Sequence, residues 1–252
     1  MTKYFINKMK LEFERKQVTV DVFNIENTPV QDVSFENYDM VGIANPIHSF
    51  NTPKIVMDYV RKFPKANIDA FIISTVGDYS TKNHAASNSL IKLLRKKGFN
   101  VFYNNQFKML SNFIVKHNEE QVNKILNRVN SKTPEMVDNI LNKVPYTLKS
   151  SMGTKCLSTI GKLEWHGTKL MGKFFFANKN CNRCALCVNS CPNKNIKIGK
   201  TYAKFKWNCG LCMRCVYLCP NQAIGIHHPF KFIKFDTWYN LNTLENVHQQ
   251  EK

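Results

Sequence analysis

The sequence predicts a chain in two parts: an open α/β domain on a doubly wound parallel sheet, then a small cysteine-rich α+β domain. Three observations carry this expectation. Apolar strand-like runs alternate with amphipathic helical stretches from residue 1 to about 145; the rhythm stops over 146–175; and eight of the nine cysteines fall in two runs of the same spacing beyond residue 180.

The elements follow in order. KYFINKMKLEFER sets Phe5, Met9 and Phe13 four residues apart, the stripe of an amphipathic helix. QVTVDVFNI alternates and predicts a strand over 17–24, whereas YDMVGIAN is a continuous apolar run, a strand over 39–45 buried on both faces. Thr52 as N-cap and Pro53 in the first turn open the helix KIVMDYVRKF. IDAFIISTVG predicts another buried strand, ASNSLIKLLRKK a helix closed by Gly98, and NVFYNNQF a further strand. Asn118 and Gln121 make a capping box for EEQVNKILNRVN, and Thr133-Pro134 starts a last short helix. Residues 1–145 therefore form the first domain and 146–175 an aperiodic basic linker, in which glycines 153, 161, 167 and 172 weaken any long helix. The linker's Leu157, Ile160, Leu163, Trp165, Leu170 and Met171 are expected to cover the seam between the domains, and Cys156 to be a small buried or linker residue. Residues 176–228 form the cysteine domain. The tail 229–252 carries Phe230, Phe232, Phe235, Trp238 and Tyr239, enough aromatic area to pack back onto a domain.

CNRCALCVNSCP begins at Cys181, and CGLCMRCVYLCP repeats it 28 residues later at Cys209; Asn193 matches Asn221 and Ile196 matches Ile224. In the bacterial two-cluster arrangement each C-x2-C-x2-C-x3-C-P run gives three thiolates to one 4Fe-4S cube and its last cysteine to the other. The assignment is crossed. Cys181, Cys184, Cys187 and Cys219 hold one cube, and Cys209, Cys212, Cys215 and Cys191 hold its twin. Zinc sites space two cysteine pairs around a longer loop, and disulfides need an oxidising compartment, which the opening MTKYFINKMK, without a signal-peptide core, does not suggest.

A hydrophobic content of 43% is ordinary for a globular protein, and no apolar run reaches the 18 or so residues of a membrane span. The formal net charge is +18. Residues 1–145 carry 20 basic against 14 acidic side chains and 146–252 carry 16 against 4, so the excess lies mainly in the second part. Two oxidised cubes at about −2 each would remove some of it. The remainder favours an acidic redox partner protein; no nucleic-acid motif is present, and a peripheral membrane contact of the linker is the weaker alternative. Overall enrichment in Lys, Asn, Ile and Phe explains the charge equally well as plain composition.

NPIHSFNTPK at 45–54 and STVGDYSTKNH at 74–84 resemble the flavin loops of a flavodoxin, and about nine tenths of the chain resembles the anaerobic flavodoxin-ferredoxin fusion family. The resemblance implies a cytoplasmic electron-transfer protein whose loops after two successive strands wrap the ring of FMN. By position these are Asn45, Pro46, Ile47, His48, Ser49, Phe50 and Asn51, with Thr75, Val76, Gly77, Asp78, Tyr79 and Asn83. Phe50, Tyr79 and His48 would stack on or edge the ring. The family opens with a strand and a phosphate-binding loop, to which only Thr2 corresponds here. In the order 2-1-3-4-5 the first strand is central, so the strands at 17–24 and 39–45 are expected to face a gap; either the native start lies about ten residues upstream, the favoured reading, or the domain has repacked and binds FMN weakly if at all.

Electron transfer between FMN, two cubes and a partner protein is the expected function, with a flavin-dependent reductase of a small acceptor as the alternative. His166, His227, His228 and Glu164 lie singly in the linker and tail and form no acid-base set.

Overall fold

The structure is a computed structural model that describes residues 1–78, 80–110 and 117–227. The chain divides into two units, the first comprising Met1–Leu110 with His117–Lys162 and the second beginning at Leu163.

In the first unit four parallel strands stand in sequential order: β1 (Met40–Pro46), β2 (Asp69–Val76), β3 (Asn100–Lys108) and the two-residue β4 (Tyr146–Thr147). The helices divide between the two faces, as side-chain alternation along β2 and β3 makes plain. On one face α1 (Thr2–Arg15) stacks Phe5 on Phe107 at 4.3 Å and sets Phe13 against Phe71. On the other, Ser87 at the start of α3 (Asn88–Lys96) bonds Ser74, the neighbour of the α1-facing Thr75. Helix α2 (Lys54–Arg61) packs on α3, and α4 (Glu119–Leu141) on α1. The sheet is doubly wound.

The capping box forms as expected, Gln121 N–H donating to Asn118 Oδ1 at 2.8 Å and Asn118 N–H to Gln121 Oε1 at 3.1 Å. Gly98, at φ 93°, ends α3. Four expectations need correction. Residues 18–24 belong to no strand, because no ladder is offered to them; Val22 and Phe23 are exposed, and the Tyr38 hydroxyl, donating to Asp21 at 2.8 Å, and the Phe23–Tyr38 edge contact hold the middle of the segment. The gap itself is present: among the described residues no strand pairs with the outer edge of β1, where Gly42 and Ala44 are exposed. Thr133-Pro134 starts no new helix. Pro134 lies inside α4, where one missing N–H is outweighed by a buried face of Val129, Met136, Val137 and Ile140, and Thr133 Oγ1 donates to the Val129 carbonyl at 2.6 Å. Thr52 does not cap α2; Pro53 stands at that position, and Thr52 bonds the loop before α3 instead. Finally, the stretch expected to be aperiodic holds β4, α5 (Met152–Gly161) and α6 (Glu164–Met171), α5 being held from outside by Asn51 on Ser158 in spite of its glycines, and Cys156 is exposed on α5.

The second unit is two interlocked copies of one motif. β5 (Phe175–Ala177), α7 (Leu186–Asn189) and β6 (Ile196–Ile198) recur 28 residues later as β7 (Ala203–Phe205), α8 (Arg214–Tyr217) and β8 (Ile224–Ile226). Each copy pairs its strands with the other: β5 runs antiparallel to β8, and β6 to β7. Ile196, Ile224, Ile226, Phe175 and Phe205 form the shared core. The aromatic tail residues and His228 lie outside the described residues.

Replacing Phe5 with alanine removes a fully buried ring from the α1 face and is expected to destabilise the first unit by about 3–5 kcal/mol, measured by denaturant unfolding. Metal content, set by the second unit, should not change.

Candidate functional site

The eight repeated cysteines line two cavities. The first is bounded by Cys181, Cys184, Cys187 and Cys219, the second by Cys191, Cys209, Cys212 and Cys215. Each cavity thus takes three thiols from one run and the fourth from the other.

Local backbone geometry aims the loops inward. Arg183, Ala185, Leu211, Met213, Lys194 and Gln222 all hold left-handed φ between 47° and 61°, at pairwise equivalent positions of the two copies. Such conformations in non-glycine residues persist only where the surrounding structure imposes them. They turn amides toward sulfur. Asn195 N–H donates to Cys191 Sγ at 3.2 Å and Ala223 N–H to Cys219 Sγ at 3.2 Å, so each exchanged cysteine receives an amide from four residues on; Leu211 N–H donates to Cys209 Sγ at 3.4 Å. Hydrogen bonds from loop amides are expected of such a site, but which amides make them is not legible in the sequence, because they belong to backbone rather than residue type. Between the copies, Asn178 N–H donates to the Ala223 carbonyl and Lys206 N–H to the Asn195 carbonyl, both at 2.8 Å.

Burial, with neighbouring cysteines adding to it, pushes the Cys209 thiol up to about 11 and raises Cys187 and Cys215 too. Where burial raises the thiol, as at Cys187, Cys209 and Cys215, a cationic centre is what would ionise it. Among the described residues no three His, Cys, Asp or Glu side chains converge on a single-ion site. None of the nine cysteines is in a disulfide.

The two copies differ in cover. Arg183, Cys184 and Leu186 beside the first cavity are exposed, whereas their counterparts Leu211, Cys212 and Arg214 are half-buried. Part of the difference is local: the backbone just after α6 rests on Cys209, where a Cβ on Gly172 would fall 2.3 Å from Cys209 Cβ.

In the first unit the residues expected to line a flavin gather at the carboxyl ends of β1 and β2. Thr2 and Thr75 share a hydrogen bond between hydroxyls 2.7 Å apart. Ile47 N–H donates to the Thr75 carbonyl at 2.9 Å, and His48 and Asn51 bridge across a tight turn through Ser49 and Phe50. Asn45 is fully buried with Nδ2 on the Pro46 carbonyl and Oδ1 unpartnered, so it offers no atom to the surface. Val76, Gly77, Asp78 and Asn83 follow on the second loop, where Asn83 Nδ2 donates to the Asp78 carbonyl; Tyr79 lies outside the described residues.

Burial lowers the His48 pKa below its ordinary value. Between that depressed value and about 6.5 the unfolded chain binds a proton that the folded chain refuses, so stability rises with pH across this window and is lost as pH falls through it. Denaturant midpoints of the first unit should fall between pH 7 and 5, by no more than about 1.4 kcal/mol per pH unit from this group. His48→Gln should flatten that part of the profile; an unchanged slope would assign it elsewhere.

Residues 173–220 match the 4Fe-4S dicluster domain family. An uncharacterized protein of Methanocaldococcus jannaschii is 31% identical over 85 residues, which are 34% of this chain and 55% of that relative, so the chain spans only about half of its length. Among solved structures, a Fusobacterium nucleatum flavodoxin bound to flavin mononucleotide is 12% identical, with a TM-score of 0.40, over 57% of this chain and 91% of that one. The rubredoxin oxygen:oxidoreductase of Desulfovibrio gigas is 12% identical, with a TM-score of 0.37, over 56% and 34%. The winding of the sheet, not these scores, carries the fold of the first unit. Taken with the interlocked cysteine repeats, the match makes residues 173–220 a 4Fe-4S dicluster domain, which the chain joins to an α/β unit on a doubly wound parallel sheet.

Proposed function

We propose that the chain is an electron-transfer protein that holds two 4Fe-4S clusters by the crossed sets Cys181, Cys184, Cys187, Cys219 and Cys209, Cys212, Cys215, Cys191. One observation carries the reading: each cavity is lined by three cysteines of one run and the last of the other. Clusters bound there supply one-electron oxidation and reduction. The chain's own part is to shape that chemistry. The amides of Asn195, Ala223 and Leu211 donate to sulfur and favour the more negative state, while Ile196, Ile224, Ile226, Phe175 and Phe205 exclude water. Free thiols throughout suit a reducing cytoplasm, and no described helix is long and apolar enough to cross a membrane.

The loops expected to hold FMN are bonded to another segment of the chain, and nothing favours the flavin-reductase alternative. The partner is read from charge. Residues 163–227 carry ten Lys and Arg against one Glu, a bias that exceeds what two clusters of about −2 would offset. An acidic redox protein meeting the exposed side of the first cavity, at Arg183 and Leu186, fits this best.

Anaerobically reconstituted protein should contain about eight iron and eight sulfide per chain. Cys219→Ser should perturb the signal of the cluster held by the first run while leaving its twin, and Cys191→Ser the reverse, as Mössbauer and EPR spectra of each variant would resolve. Stoichiometric zinc, or two irons or fewer, would defeat the reading. Oxidation of the dithionite-reduced protein by ferricyanide, an anion that takes one electron per ion, should be fast at low salt and slow as salt rises. Arg183→Glu should slow it about tenfold at low salt with iron content unchanged; salt-independent rates would remove the case for an acidic partner.

A further inference from the structure

We infer that the carboxyl edge of the first sheet is a receptor for the chain's own residues 149–161, and that this segment stands in the place where FMN was expected. The argument begins at the turn after β1. Ser49 and Phe50 both lie in the left-handed region, at φ 41° and 60°, and His48 and Asn51 close the turn with two backbone bonds of 2.9 and 2.8 Å. This points the Ser49 carbonyl and the Asn51 amide toward α5. Asn51 is 1% exposed, and its side chain is consumed: Nδ2 donates to the Ser49 carbonyl at 3.0 Å and to the Ser158 carbonyl at 2.7 Å, while Oδ1 accepts from Ser158 Oγ at 2.7 Å. Both amide protons are used within the chain, which leaves none for a ligand.

The end of α5 is shaped to the same turn. A Cβ on Gly161 would fall 2.1 Å from the Ser49 carbonyl oxygen and 2.8 Å from Asn51 Nδ2, so only glycine lets the helix approach this closely. The start of the segment is fixed to the other loop. His84 Nδ1 lies 3.0 Å from the Lys149 carbonyl, Asn88 Nδ2 donates to Ser150 Oγ at 3.2 Å, and Ser151 caps α5 by accepting from Thr154 N–H at 3.2 Å. The loops are also joined to each other, since Thr52 N–H donates to the Ala86 carbonyl at 3.1 Å. A flat ring needs about 3.5 Å of clearance from atoms on each face. Here the two loops are tied together and bridged by one helix, whose atoms stand where such a ring would have to enter. As an attached occupant, the segment also competes at an effective concentration on the order of millimolar, against a free cofactor in the micromolar range.

The residues present therefore do not fit FMN, and the first unit uses a ligand-binding edge to seat the chain's own helix. This inference is independent of the iron-sulfur reading, since iron analysis reports on that one alone. The test uses the full chain, reconstituted with iron and sulfide and titrated anaerobically with FMN and, separately, riboflavin, which lacks the phosphate. No flavin should co-purify, neither probe should be quenched up to about 100 µM, and hydrogen exchange should show residues 154–158 protected. Gly161→Val should raise exchange of these amides at least about tenfold with iron content unchanged, and Ser158→Ala, which adds no bulk, should do so to a smaller extent. Stoichiometric FMN bound below about 1 µM, or exchange of α5 unaltered in both variants, would overturn the inference.

Discussion

The second unit depends on one exchange: each cysteine run gives its last thiol, and each copy its strands, to the other copy. Sulfur and backbone cross the same boundary, with Cys219 lining the cavity of the first run while β8 pairs with β5, and Cys191 lining that of the second while β6 pairs with β7. Two copies of fewer than 30 residues could not each bury a core or close a cage alone. Interlocked, they share one core, and the turn that follows each exchanged cysteine returns an amide to its sulfur four residues on. The left-handed residues at equivalent places are the local strain that this arrangement holds.

The first unit solves a different problem. Its sheet is wound with α1 and α4 on one face and α2 and α3 on the other, which brings its strand-end loops together at one edge. Such an edge collects backbone groups and small polar side chains that need partners. Here Asn51, Thr52, Ser74 and Ser87 are almost wholly buried and find those partners inside the chain. The demand of Asn51, and of His84 and Asn88 beside it, is met by the stretch from Lys149 to Gly161, which makes a segment without evident periodicity into part of the unit's polar interior.

What could be read in the sequence tracks how local its physical cause is. The 28-residue repeat, the capping box at Asn118 and the stop at Gly98 each sit within a few residues of the chemistry that explains them, and the structure has them all. The segment 18–24 has a strand's alternation but lacks its neighbour, and pairing is not a property of the segment itself. Pro134 looked like a boundary because one lost hydrogen bond is visible in sequence, whereas the buried face that carries α4 through it is visible only in tertiary packing. Helix α5 was illegible for the same reason: Asn51 and Ser158 are 107 positions apart. The strands of the second unit are three residues each, too short for any period to register.

An iron anomalous-difference map from crystals grown without oxygen tests the exchanged cage most directly. The account predicts two separate four-iron centres, one bonded by Cys181, Cys184, Cys187 and Cys219 and the other by Cys209, Cys212, Cys215 and Cys191. A map with Cys219 bonded to the centre of its own run, or with Cys191 and Cys219 both turned away from iron, would contradict it.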